Sequence, residues 1–289
     1  MIVDLVQTTT RDGLRLDGAF QAAAEPGRSP FAVDALCLVH GTGGSFYSSA
    51  LLDALAERLL ADGCAVLRVN TRGHDLMCTA ATARGGRRQG AACEVVDDCR
   101  HDLAAWLDWF RDRVGPRVGL LGHSLGAIKC LYAAAHEPKL GAVCVAAISP
   151  PRLSHSWFCS SPEGPEFGRT YGEATRLVEE GRTEALMDVR LPLPFVTTAG
   201  GFAEKYGPDE RYNYLRFVAA VPCPVLVTLG GAEVEGNMAF RGVPEALAAP
   251  AARHGRMRTA VVAEADHFYT GVRGDLAASV ADWLRGPSA

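Results

Sequence analysis

Long apolar runs are missing from this sequence. No stretch approaches the roughly 18 residues that a membrane-spanning helix needs, so no membrane partner is expected. The opening Met1-Ile2-Val3-Asp4-Leu5-Val6-Gln7 lacks a basic region followed by an apolar stretch. No secretory signal is therefore read there, and a cytoplasmic location is expected. No C-x-x-C pair occurs, so a structural zinc site is not expected. Surplus charge is small as well. Against 33 acidic side chains stand 29 basic ones, a net of −4. That balance offers no basic face for a phosphate backbone, and nucleic acid is excluded as an expected partner.

Cysteine is plentiful, at nine residues, but the number is odd. Cys37, Cys64 and Cys144 sit inside apolar runs, where a free thiol packs as a small hydrophobe. Hydrophobic residues make up 48% and charged residues 21% of the 289, the composition of a globular chain large enough to enclose a pocket.

The patterning alternates. Ile2 to Val6 and Leu14 to Phe20, separated by Asp12-Gly13, read as a hairpin. Ala32 to Val39 is a near-continuous apolar run, as expected for a strand buried on both faces of a parallel sheet. Leu51, Leu52, Leu55, Ala56, Leu59 and Leu60 recur at helical spacing, and Cys64 to Val69 is again strand-like. A helix through Val95, Cys99, Leu103, Trp106 and Phe110 follows. Then come a strand at Val118 to Leu121, a helix at Leu125 to Ala135 and a strand at Ala142 to Ile148. Such alternation predicts a mostly parallel α/β sheet with helices on both faces.

The rhythm breaks at Pro150-Pro151. Residues 151–220 are aromatic, proline-rich and irregular, with helices expected at Gly172 to Glu180 and Asp209 to Ala219. This stretch reads as a cap inserted into a core made of 1–150 and 221–289. The alternation resumes with strands at Val225 to Leu229 and around Val261, and a closing helix at Leu276 to Leu284.

Gly122-His123-Ser124-Leu125-Gly126 lies between a buried strand and an amphipathic helix. That is the context G-x-S-x-G requires, because a serine on so tight a turn leaves no room for side chains two residues away on either side. Ser124 is the expected nucleophile. Two backbone N–H groups must face the developing oxyanion, and Leu125 and Thr42 are the candidates. Thr42 lies in His40-Gly41-Thr42-Gly43-Gly44-Ser45, after another buried strand. A nucleotide loop is the rival reading of that segment. It lacks the third glycine of G-x-G-x-x-G, where Phe46 stands, and the Gly-Lys-Ser/Thr of a P-loop.

His267, just past the strand around Val261, is the expected base. His254 precedes that strand, at the wrong sheet edge. The acid should follow Val225 to Leu229, where Glu233 is preferred and Glu235 is the alternative; a dyad without either is a further possibility. Asp266 adjoins His267 and is read as a loop residue.

Taken together these residues resemble the α/β-hydrolase superfamily over nearly the whole chain apart from the cap. Thr71-Arg72-Gly73-His74 looks like the Arg-Gly-His loop many members carry. The resemblance implies the α/β-hydrolase fold, a Ser124–His267–Glu233 triad and an oxyanion hole at Thr42 and Leu125, with no metal or organic cofactor. A glutamate as the acid departs from the commoner aspartate.

The expected function is a serine hydrolase that cleaves a carboxylic ester of a small or medium apolar or aryl molecule. A thioesterase, an acyltransferase, a C–C bond hydrolase and a non-enzymatic ligand receptor remain alternatives. The loop from Asp75 to Cys93 is arginine-rich, and Arg84, Arg87 and Arg88 could meet an anionic substrate, although a solvated loop is the simpler reading.

Overall fold

The computed structural model describes residues 3–24, 29–82 and 85–286. Ile2, the first residue of the expected opening strand, and Arg84 lie outside these residues. The chain begins with a hairpin of β1 (Asp4–Thr9) and β2 (Arg15–Gln21), turning at Gly13 with φ 83°. The alternating part follows as β3 (Ala35–Val39), α1 (Ala50–Ala61) and β4 (Ala65–Val69). A small hairpin, β5 (Cys78–Thr82) and β6 (Gly85–Gln89), occupies what reads in sequence as a loop. Then come α2 (Cys99–Val114), β7 (Val118–His123), α3 (Leu125–His136) and β8 (Val145–Ile148).

The eight-stranded main sheet includes β11 (Val225–Gly230) and β12 (Met257–Val262), in the order β1-β2-β4-β3-β7-β8-β11-β12. From β4 to β12 neighbouring strands are parallel, and the opening hairpin adds two antiparallel strands at one edge. Every residue of β3, β4, β7, β8 and β11 is buried. Helices cover both faces of these strands, which explains their continuous apolar sequences. On one face Leu51, Leu55 and Leu59 of α1 pack with Leu276 and Val280 of a closing helix (Arg273–Leu284). On the other, Leu103, Trp106 and Phe110 of α2 pack with Ile128 and Leu131 of α3. Cys37, Cys64 and Cys144 are buried in these two cores, and all nine cysteines are free.

Between β8 and β11 the chain forms α4 (His155–Ser160), α5 (Gly164–Glu179), the hairpin β9 (Leu186–Val189) and β10 (Phe195–Thr198), and α6 (Ala199–Lys205). Helix α5 starts eight residues before the expected Gly172, with a proline in its first turn. The expected helix at Asp209 to Ala219 is corrected. Only short 3-10 turns form, at Tyr214–Arg216 and Val218–Ala220. Glu210 has φ 52°, and its carboxylate accepts from Ser154 Oγ and Ser156 N at 2.8 Å each, so a tertiary anchor outweighs helix formation.

After β11 come α7 (Gly231–Gly236), a helix of less than two turns, and α8 (Val243–His254), which the sequence reading passed over. The closing helix, Arg273–Leu284, is α9. Strand β3 connects through α1 to β4, while β7 connects through α3 to β8 on the opposite side. The carboxyl ends of β3 and β7 therefore face a crevice at a topological switch point, where α/β sheets place their ligands.

Candidate active site

Ser124 sits between β7 and α3 at φ 57° and ψ −125°, a region that side-chain-bearing residues rarely enter. Its backbone is pinned there. Ser124 N donates to Ile148 O of the neighbouring strand at 2.9 Å, and its carbonyl accepts from Ala127 N at 2.9 Å. A methyl group on Gly122 would lie 2.2 Å from Gly126 O, and one on Gly126 would lie 2.4 Å from both Val39 O and His40 O. The two glycines therefore let the turn close and let α3 dock against the end of β3.

The loop after β3 presses on this serine. A Cβ on Gly41 would stand 2.9 Å from Ser124 Cβ and 3.4 Å from Ser124 Oγ. Thr42 is the next residue. Leu125 opens α3, so its N–H has no acceptor within the helix. Among the described residues neither the Thr42 nor the Leu125 N–H donates a hydrogen bond. Buried His40 ties the loop down. Its Nδ1 donates to Gly41 O at 2.8 Å and its Nε2 accepts from Thr71 N at 3.1 Å. Burial and the nearby Lys129 charge push the His40 pKa down to about 3, so the ring is neutral.

His267 lies in the loop between β12 and α9. Its Nδ1 donates to Glu233 Oε2 at 2.7 Å. Glu233 is buried on α7, and its other oxygen accepts from Gly230 N at 2.7 Å and from the Ser149 hydroxyl. Glu235, two residues on, is exposed. The sequence therefore offers two carboxylates, and the structure brings only one to the imidazole. Asp266 accepts from Phe268 N (2.9 Å) and Thr270 N (2.8 Å), shaping the loop. His254, at the end of α8, bonds Val221 O at 3.0 Å.

Sequence reasoning passed over three supporting residues. His123, the variable position of the pentapeptide, donates from Nε2 to His267 O at 2.8 Å, and its ring lies 4.8 Å from the His267 ring. Burial, with His267 beside it, lowers its pKa to about 3. Ser149, at φ 48°, holds Glu233. Tyr269 stands 3.1 Å from Ser149 Oγ and 3.0 Å from Thr228 Oγ1, bracing that hydroxyl from behind. An unusual backbone angle at the end of β8 is a tertiary feature without a motif, and His123 had no signal beyond its place in the pentapeptide.

Ser124, His267, His123, His40 and the Gly41–Gly44 loop line one cavity of about 570 Å³. That is room for a small or drug-sized organic molecule. The segment between β8 and β11 contributes Leu193, Pro194, Phe195, Val196 and Tyr206 to its wall. Of the aromatic residues of that segment, Phe195 and Tyr206 reach the cavity. Phe158, Phe167, Phe202, Tyr212 and Tyr214 are fully buried away from it, in the core shared with the sheet.

Arg72, of the Arg-Gly-His-like loop, is buried and pairs with Asp102 (2.8 Å), Asp12 and Asp98 (3.0 Å each). It braces the loop outside the cavity. Arg87 and Arg88 are exposed on β6 and do not line the cavity. Among the described residues no cluster of three or more His, Cys, Asp or Glu side chains could hold a metal ion. None of their helices is long and apolar enough to cross a membrane.

A sequence model of the alpha/beta hydrolase family matches residues 38–283. Similar solved structures include Est1E from Butyrivibrio proteoclasticus with bound ferulic acid, at 16% identity and a TM-score of 0.66, covering 96% of this chain and 98% of that one. The Pyrococcus furiosus esterase Pf2001 aligns at 18% identity and 0.63, over 98% and 90%. The alpha/beta hydrolase GrgF from Penicillium sp. sh18 aligns at 17% and 0.66, over 99% and 98%. At these identities the likeness is one of fold. No curated protein matches the sequence significantly.

Proposed function

The chain belongs to the alpha/beta hydrolase family, and from that premise we propose that it is a serine hydrolase cleaving carboxylic esters of small or medium apolar or aryl molecules. One observation carries this reading: His267, paired through Nδ1 with the buried Glu233, and the strained Ser124 line the same cavity. With Nδ1–H engaged by Glu233, the imidazole keeps its lone pair on Nε2, the tautomer a general base needs. His267 takes the proton of Ser124 as Oγ attacks the ester carbonyl. The N–H groups of Thr42 and Leu125 hold the oxyanion, assisted by the amino end of α3. His267 then protonates the leaving alcohol. A water deprotonated by the same nitrogen releases the acid from the acyl-enzyme. Residues 151–220 act as a cap, and their cavity-facing side chains set the acyl or aryl fit. The apolar wall at Leu193, Pro194, Phe195 and Val196 supports an apolar substrate portion.

The test is hydrolysis of 4-nitrophenyl butyrate together with labelling by a fluorophosphonate. The wild type should turn over and be labelled at Ser124, and Ser124→Ala should do neither. Full turnover by Ser124→Ala would end this reading. Formation of a new ester from an added alcohol would place the activity with acyl transfer instead.

A further inference from the structure

We infer that Arg273 forms an anion subsite in the Ser124 cavity and that the substrate carries a carboxylate besides the ester. This rests on the reading of the cavity as an ester-cleaving site. Arg273 opens α9, six residues after His267, and its side chain lines the cavity with Phe268. Its Nε donates to Phe268 O at 3.1 Å, which orients the guanidinium. Among the described residues no carboxylate lies within ion-pair distance of it, and its two Nη groups bond to nothing. The remaining Nη1/Nη2 edge of the fork can take a carboxylate in bidentate fashion.

The rest of the wall makes this charge matter. The residues lining the cavity include no Asp, Glu or Lys, and two of the three histidines, His40 and His123, are held neutral by burial. Among the described residues Arg273 is thus the one permanent charge on a wall that is otherwise largely apolar. A charge focused by low-dielectric walls attracts the opposite sign more strongly than one in open solvent. Asp266 feels the Arg273 charge from beyond ion-pair distance, and its Oδ1 accepts from the Phe268 and Thr270 N–H groups. Arg87 and Arg88, the cations that the sequence singles out, are exposed on β6 and absent from this wall.

The experiment uses two matched ester pairs. Mono(4-nitrophenyl) glutarate against 4-nitrophenyl pentanoate places the carboxylate on the acyl chain. 4-Acetoxybenzoate against 4-methylphenyl acetate places it on the alcohol. The ratio of kcat/KM, anionic over neutral, is compared between wild type and Arg273→Gln, so that intrinsic ester reactivity cancels. In at least one pair the ratio should fall about tenfold or more, the worth of a charge-assisted hydrogen bond. The change should sit mainly in KM, and Arg273→Lys should restore part of it. Raising the salt should shrink the wild-type ratio. Equal ratios for wild type and Arg273→Gln in both pairs would overturn the proposal.

A readout without turnover separates this from the catalytic reading. Glutarate and 4-hydroxybenzoate are titrated calorimetrically into wild type and Arg273→Gln. Weaker binding of either by the variant supports the subsite, and unchanged or absent binding of both refutes it. Arg273-dependent binding in a protein that cleaves none of the four esters would sink the hydrolase reading and leave the subsite standing.

Discussion

Replacing Glu233 by glutamine tests the proposed site most directly, because it keeps the shape and changes only the proton bookkeeping. The carboxylate accepts from three donors: Gly230 N–H and the Ser149 hydroxyl at Oε1, and His267 Nδ1–H at Oε2. A glutamine must place its carbonyl toward Gly230 and Ser149, where two donors converge. Its NH2 then faces His267 Nδ1, which must accept instead of donate. The proton moves to Nε2, and the ring loses the lone pair that would take the Ser124 proton. The expected loss in kcat is about 10³- to 10⁴-fold, or about 4–5.5 kcal/mol of activation free energy. Stability should fall far less, by about 1–3 kcal/mol, because the donors at Oε1 keep their acceptor. The assay is 4-nitrophenyl butyrate hydrolysis by wild type, Glu233→Gln and Glu235→Gln, with urea denaturation as the folding control. A folded Glu233→Gln protein within threefold of wild-type kcat would refute the orienting role. Glu235→Gln, altering an exposed side chain, should stay within about twofold, since surface changes perturb little.

Three further outcomes are expected. Gly122→Ala would set a methyl 2.2 Å from Gly126 O, a backbone atom that cannot swing aside, and should cost about 3 kcal/mol or more in urea denaturation. A variant as stable as wild type would mean that the turn can open to admit a methyl group. Arg72→Met should cost about 3–5 kcal/mol, because Asp102 is fully buried and would lose the guanidinium that compensates its burial; an unchanged urea midpoint would contradict this. His40 and His123, both lowered from 6.5 to about 3, bind fewer protons folded than unfolded. Their contribution is complete above pH 6.5 and is lost as pH falls toward 3, so the urea midpoint should drop between pH 7 and 5. A flat profile over that range would show that these rings can be charged without disturbing the fold.

Much of the architecture was legible because its causes are local. Strands such as Ala35–Val39 and Val118–His123 are buried on both faces and announce themselves by unbroken apolar runs. Helix α1 shows its packed stripe at Leu51, Leu55 and Leu59. The segment from 151 to 220 was harder. The hairpin of β9 and β10 and the short helix α6 take their conformations from neighbours distant in sequence, as when Thr198 N donates to Ala92 O at 2.8 Å. The helix expected over Asp209–Ala219 failed for the same reason, since the Glu210 carboxylate is claimed by Ser154 and Ser156.

At the site the same division holds. By itself the sequence determined the bend at Ser124, because only glycine at 122 and 126 leaves room for it, and that requirement is written within five residues. Only the tertiary structure decided which glutamate meets His267. Glu233 and Glu235 are nearly equivalent as text, and on α7 one turns inward while the other faces water. Ser149, Tyr269 and Arg273 likewise acquire their places only when β8, β11 and the loop after β12 come together. Strand order and burial choose those neighbours, and neither is a property of any short stretch of chain.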